Sequence, residues 1–382
     1  MFVAHGPMLD RRKLLLGAAA LGAAPVSARA ATSFEWQTIS PAEAGFMPDF
    51  AARLDQFIVD WKRNIHGVIV ARRGRLVFEK YYEGDDVVWT ADRRPEPARV
   101  MFTAQRSHEL RSVTKCIIGL LYGIALDEGR VPLLDTPLLA QFPQYTDLPD
   151  MAQRRGWTIA HAITMTLGTE WDEDISYDDP RNGEIAMYRA PDRIRYVLEQ
   201  PIVAVAGERW IYNGGATALI GKIIEKGVGT SIHDYARRVL FDPLGIGPTE
   251  WRLLRDGETI FASGLGMRPR DLARIGQMLL DGGKVEERQI VPAAWLEDSF
   301  KPAARINDRR WYGYHWYAGN APFESLEGPR RARYVGAVGN GGQRLVVFPD
   351  LELVVVITAV NYNLRGVAPD DVFTEVVLPS IR

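Results

Sequence analysis

Leu110-Arg111-Ser112-Val113-Thr114-Lys115-Cys116-Ile117-Ile118-Gly119-Leu120-Leu121 runs on into Tyr122-Gly123-Ile124-Ala125-Leu126-Asp127-Glu128-Gly129. Ser112 to Leu126 reads as a buried helix that ends at Glu128-Gly129. At its start, Ser112 and Lys115 are three residues apart, so they share a face one turn from each other and a hydroxyl meets an amine. A serine hydroxyl is a poor nucleophile at neutral pH and needs a base. A lysine serves as one if burial and positive neighbours lower its pKa. The free N–H groups of a helix N-terminus can stabilise an oxyanion, and the helix dipole disfavours a protonated lysine; Arg111 adds to the positive field. The bland alternative is an N-cap serine with a solvated lysine one turn on. Against it, the apolar run begins directly after Lys115, so the lysine opens a buried helix. Cys116, the only cysteine, lies inside that run and reads as an inert packing residue, and no internal disulfide is possible.

Outward from this helix, Phe50, Leu54, Phe57, Ile58 and Trp61 have helical spacing. His66 to Ala71 and Leu76 to Tyr82 flank Arg72-Arg73-Gly74 as the arms of a β-hairpin. From about residue 130 to about 300 the chain reads as mostly helical, with Gly221 to Lys226 and Asp271 to Leu280 as clear segments and turns such as Asp242-Pro243-Leu244-Gly245 between. Strands return with the alternating Tyr312 to Tyr317, then Arg333 to Val338, Gln343 to Phe348 and Leu351 to Ala359; Asp370 to Pro379 reads as a closing helix. Strands at both ends with helices between predict an α+β fold: an antiparallel β-sheet flanked by helices, built from both termini, with an inserted mostly helical region. The expected partition is a signal peptide over 1–30, a sheet domain from 31–130 and 300–382, and a helical insertion over 131–299.

The chain has 382 residues, 47% hydrophobic and 25% charged, with 46 basic against 48 acidic residues; that balance favours neither nucleic acid nor an anionic membrane as partner. At the N-terminus, Arg11-Arg12-Lys13 precedes an apolar Leu14 to Ala24, then Pro25 and the small-residue site Ala28-Arg29-Ala30. This is the layout of a secretory signal, too short for a stable membrane span, and the paired arginines point to the twin-arginine route. A mature protein starting near Ala31, periplasmic or secreted, is the expectation.

Other chemistries lose their support. There is no Gly-x-Ser-x-Gly elbow, no His-Glu-x-x-His and no paired-cysteine metal signature, and the six histidines are scattered, so no metal site is expected. The glycine run from Gly336 to Gly342 leads into a strand, which argues against a dinucleotide or phosphate loop.

The segment Leu110 to Gly129 resembles the nucleophile helix of the class C β-lactamase-like serine hydrolases, the penicillin-recognising superfamily that includes D-alanyl-D-alanine peptidases, esterases of β-lactamase fold and 6-aminohexanoate-dimer hydrolases. Met165-Thr166-Leu167-Gly168, Tyr212-Asn213-Gly214-Gly215 leading to Glu225, Phe241 to Gly245, Ser263 to Met267 and Gly339 to Pro349 resemble further family segments in order, across nearly all of the mature chain. The resemblance implies a β-lactamase/transpeptidase-like fold, with Ser112 as nucleophile, Lys115 as base and Tyr212 as proton relay. It also implies an oxyanion site at the backbone N–H groups of Ser112 and Asn340, and no cofactor. The family's Tyr-x-Asn would put an asparagine, which helps hold the substrate amide and the lysine, where this chain has Gly214; Asn213 stands one place early. Its Lys-Thr-Gly or His-x-Gly falls on Ala337-Val338-Gly339, which keeps only the glycine. The side chains that meet a substrate carboxylate are therefore missing, with Arg331, Arg333 and Arg344 as conceivable replacements.

Asn213, Gly214, Gly339 and Trp171 are expected along the substrate groove. Trp171-Asp172-Glu173-Asp174 with Tyr177, Asp178 and Asp179 forms an acidic, aromatic rim, either for an amine-bearing substrate or as a plain solvated loop. Trp210, Trp316 and Tyr317 are candidates for a pocket wall. The expected function is an exported serine hydrolase acting on a small-molecule ester or amide through an acyl-serine. The alternatives are a β-lactamase or D-alanyl-D-alanine peptidase, and a non-catalytic binder on the same scaffold.

Overall fold

The computed structural model describes residues 34–89, 95–364 and 369–382; the expected signal peptide lies outside them. Strands β1 (Ile65–Arg72) and β2 (Arg75–Tyr81) form the first hairpin, in which Arg72 pairs with Arg75 across the two-residue turn Arg73-Gly74. Both turn residues have positive φ, 51° and 75°. That turn geometry matches the right-handed twist of the strands it joins.

The rest of the sheet comes from the C-terminal part: β3 (Ala304–Arg305), β4 (Arg310–Tyr312), β5 (Tyr317–Ser325), β6 (Gly328–Gly339), β7 (Gln343–Phe348) and β8 (Leu353–Ala359). The eight strands run β3-β4-β5-β6-β7-β8-β1-β2, antiparallel throughout. Strand β1 meets β8 from Ile65 opposite Ala359 to Arg72 opposite Leu353, so the early hairpin completes a sheet begun from the other end of the chain.

Successive side chains of a strand point to opposite faces. Ile69 and Ala71, Leu345 and Val347, and Val354 and Val356 enter one core; Val68 and Val70, Val346 and Phe348, and Val355 and Ile357 enter the other. With both faces covered, these strands read as unbroken apolar runs rather than alternations. Helix α1 (Phe50–Trp61) and the helical turns at Val372–Val377 and Leu378–Ser380 cover the second face. The first face receives α2 (Val113–Asp127), α3 (Gly183–Arg189), α4 (Gly214–Val228), α5 (Pro269–Leu280) and α6 (Ala293–Phe300) as one larger helical layer, in which α2 packs on α4 and α5 on β8. No helix among the described residues is long and apolar enough to cross a membrane.

Three local expectations change. Tyr312 to Tyr317 is not one strand: β4 stops at Tyr312 and β5 starts at Tyr317, because His315 takes a positive φ of 65° and dips into the core. There its N–H donates to Ile163 O at 3.2 Å, and its carbonyl accepts from Cys116 Sγ at 2.8 Å. The closing helix is a wide turn of helix over Val372–Val377 followed by a tight one over Leu378–Ser380. A hairpin of Glu83–Trp89 with Pro95–Met101 was not anticipated, since charges and prolines mask its pattern.

Candidate active site

The segment before α2 is pinned to the short strand Leu265–Met267: Leu110 N–H donates to Leu265 O (2.9 Å), and Leu265 N–H donates to Thr114 Oγ1 (3.2 Å). Arg111 is held at a φ of 49°, the left-handed region a bulky residue seldom occupies. Its guanidinium lies 4.2 Å over the Tyr362 ring and 3.3 Å from Glu109. The first turn of α2 then closes tightly, with the N–H groups of Val113, Thr114 and Lys115 reaching back to Leu110, Arg111 and Ser112 carbonyls at 3.0–3.2 Å. The Ser112 side chain makes no capping bond. Its hydroxyl instead accepts from Lys115 Nζ at 2.9 Å, which excludes the solvated-lysine alternative because Lys115 is 1% exposed.

Lys115 Nζ also donates to Ala262 O at 3.1 Å and lies 4.9 Å over the Tyr212 ring. Burial first, and then the charge of Glu173, push the Tyr212 phenol well above its usual range, while a hydrogen bond with Ser112 acts the other way. At neutral pH Tyr212 is a phenol that can pass a proton on. Tyr212, far along the sequence from Ser112 and Lys115, thus joins them in one cluster.

The amine has two further neighbours: Glu184 Oε2 at 3.7 Å and Glu173 Oε2 at 3.9 Å, all three side chains being 1–2% exposed. Glu173 accepts from Trp171 Nε1 (2.6 Å), Tyr177 Oη (3.0 Å) and the N–H of Gly214. Burial is the main cause that holds its carboxyl above the usual range; Lys115 pulls it down and Glu184 pushes it up. Glu184 accepts through Oε1 from Tyr188 (2.7 Å) and Ser263 (2.6 Å), while its Oε2 has no hydrogen-bond partner. Sequence reasoning placed Glu173 on a solvent-facing rim and passed over Glu184. The aromatic neighbours Trp171 and Tyr177, both of which bond it, were the available sign that Glu173 turns inward.

Above the cluster lies a cavity of about 420 Å³ lined by Ser112, Tyr212, Trp171, Glu173, Asp174, Tyr177, Arg209, Trp210, Ile211, Tyr317, Val338 and Asn340. Trp171, Asn340, Trp210 and Tyr317 stand where expected, on the wall. Others do not. Asn213 is 3% exposed and caps α4 by accepting from Ala216 N–H at 2.9 Å, so it is absent from the wall. Gly214 lies behind it, between the two carboxylates: a Cβ there would stand 2.7 Å from Glu173 Oε1 and 3.1 Å from Glu184 Oε2. Gly339 passes close to the nucleophile segment, since a Cβ would come 2.5 Å from Leu110 O. Strand alternation sends Ala337 into the core and Val338 into the cavity, so one apolar side chain rather than two meets a ligand there. Trp316 is fully buried. Arg333 pairs with Asp350 at 2.8 Å and Arg344 with Asp370 at 2.7 Å, and neither they nor Arg331 reaches the wall, whereas Arg209 does.

An antiparallel sheet backed by a helical layer, with a serine–lysine pair at the head of a buried helix, is the arrangement of the β-lactamase fold. The chain belongs to the Beta-lactamase family, whose model matches residues 50–372. It is 24% identical over 278 residues to the 6-aminohexanoate-dimer hydrolase of Paenarthrobacter ureafaciens, a match that takes in 68% of this chain and 61% of that one, less than two thirds of the relative's length. Among solved structures, a Bacillus anthracis protein described as a 6-aminohexanoate-dimer hydrolase superposes with a TM-score of 0.69 at 18% identity, over 90% of this chain and 86% of that one. EstCE1, a hydrolase with promiscuous acyltransferase activity, superposes with a TM-score of 0.66 at 14% identity, over 87% of this chain and 99% of its own. At these identities the superpositions speak for the fold alone.

Proposed function

We propose that the protein is a serine hydrolase that cleaves an ester or amide bond of a small molecule through an acyl-serine intermediate. The observation that carries this reading is Lys115 Nζ at 2.9 Å from Ser112 Oγ, buried beneath a cavity of about 420 Å³ that Ser112 itself lines. With Lys115 in its neutral form, Ser112 Oγ attacks the carbonyl carbon and its proton passes to the Lys115 amine. The oxyanion faces the backbone N–H groups of Ser112 and Asn340. As the tetrahedral centre collapses, the leaving oxygen or nitrogen takes a proton relayed through Tyr212. Water then attacks the acyl group and returns the proton and the free serine.

The cavity wall favours substrates without a carboxylate beside the scissile bond. Val338 offers no hydrogen bond where the resemblance puts a carboxylate-binding side chain. A carboxylate that lodges against Val338 without a polar partner costs several kcal/mol. Short-chain esters and short amides are the substrate class that follows, and a relative that hydrolyses the 6-aminohexanoate dimer adds weight to the amide arm. The test is a panel of p-nitrophenyl esters, short linear amides and nitrocefin with wild type and Ser112→Ala. Turnover that vanishes in the variant supports the reading; an inactive wild type, or a variant that keeps more than a tenth of the activity, overturns it.

A further inference from the structure

An ammonium has three donors. Two of those of Lys115 go to Ser112 Oγ and Ala262 O. Two carboxylates from separate parts of the helical layer flank the amine: Glu184 from α3 and Glu173 from the loop after Trp171. Between them stands Gly214, whose lack of a side chain is what lets both carboxylates approach, since a Cβ would lie 2.7 Å from one and 3.1 Å from the other. Glu184 Oε2 has no hydrogen bond. A bare buried carboxylate oxygen is costly, and the amine 3.7 Å away is the compensating charge.

We infer that Glu173 and Glu184 are positioning residues for Lys115: together they occupy the space left open at Gly214 and hold the amine against Ser112. The inference rests on the Ser112–Lys115 reading above. Trp171, Gly214 and Tyr177 engage both oxygens of the Glu173 carboxylate inside the protein and fix its place beside the amine. The amine and the two carboxylates share one buried site, with the amine 3.7 Å from Glu184 and 3.9 Å from Glu173. The groups around the amine are Glu173 with Tyr177, Glu184 with Tyr188 and Ser263, the Tyr212 ring, Tyr317, Cys116 and the neutral His315, whose ring burial and Lys115 keep unprotonated.

Glu184→Gln is the decisive variant. Its amide oxygen can keep the bonds from Tyr188 and Ser263, while its NH₂ turns toward Lys115 and repels it. With a p-nitrophenyl ester, kcat is expected to fall roughly 10²-fold, the scale set by misplacing a catalytic group by about 1 Å, with KM changed by less than about threefold. The acid limb of kcat/KM is expected to move to lower pH, since removing a negative charge beside the base makes it easier to deprotonate. Glu173→Gln is measured alongside and is expected to act in the same direction, so it decides the matter if Glu184→Gln fails to fold. Folded variants that retain the wild-type kcat and pH profile overturn the inference while leaving the hydrolase intact. An absence of Ser112-dependent turnover in the wild type strikes instead at the proposed function.

Discussion

Replacing Lys115 by methionine isolates the charge on which the site depends. Methionine matches the lysine stem in length and volume, so little cavity is created. What is lost is the cation 3.7 Å from Glu184 and 3.9 Å from Glu173. At an effective dielectric of about 20, each contact is worth ~4 kcal/mol before desolvation is counted. Removing one partner of a buried pair costs about 3–5 kcal/mol net. That cost depends on pH, and its sign follows from linkage. Without the amine, which pulls it down, burial holds the folded-state carboxyl of Glu173 still further above its unfolded value, the direction it already shows. A group with a raised folded pKa stabilises the fold fully below its unfolded pKa and loses that contribution as pH rises through the folded pKa. The deficit of Lys115→Met relative to wild type is therefore expected to be about 3–5 kcal/mol near pH 8 and to shrink near pH 5. Urea unfolding of both proteins at the two pH values measures it. A deficit under about 1 kcal/mol at the higher pH, or an equal one at both, refutes the picture of a charge-compensated buried cluster.

Tyr212→Phe is expected to lower kcat by roughly 10²-fold or more with little change in KM, because the phenol relays a proton and does not bind substrate; a pure KM effect in steady-state assays contradicts that role. Nitrocefin is expected to be turned over with kcat/KM several powers of ten below the best short-chain ester, about tenfold for each 1.4 kcal/mol of unmet carboxylate charge at Val338. Parity between the two substrates refutes it, and loss of the nitrocefin rate in Arg209→Ala would trace the rescue to Arg209 on the wall. Acid should destabilise the fold early. Burial, as the largest cause, lowers His66 to about 3, His108 to about 4 and His315 to about 3 from 6.5. A depressed folded pKa gives stability that is present above 6.5 and lost as pH falls toward those values, at about 1.4 kcal/mol per pH unit for each group. Urea melts between about pH 7 and pH 5.5 that show no such fall would contradict it.

The sheet was legible wherever burial on both faces wrote long apolar runs, as in Gln343–Phe348 and Leu353–Ala359, and wherever a turn had distinctive residues, as at Arg73-Gly74. Ser112 and Lys115 were legible because three-residue spacing on one helix is a local fact. What the sequence hid is long-range. Glu184 lies on a different helix from Lys115, and nothing near it announces a partner. Asn213, read as a groove residue from its place beside Tyr212, is taken up by the helix cap that its own backbone position demands. His315 broke a run that alternates well enough to pass for a strand, because a core contact with Cys116 and Ile163 outweighs local β preference.

Ser112, activated by Lys115, is the proposed nucleophile. The most direct test of that claim is to label the purified protein with a fluorophosphonate and locate the adduct by peptide mass spectrometry. A single phosphonyl group on Ser112 is expected, absent from Ser112→Ala and formed at least roughly 10²-fold more slowly in Lys115→Met. An adduct on another residue, or ester hydrolysis that persists while Ser112 stays unmodified, contradicts the claim.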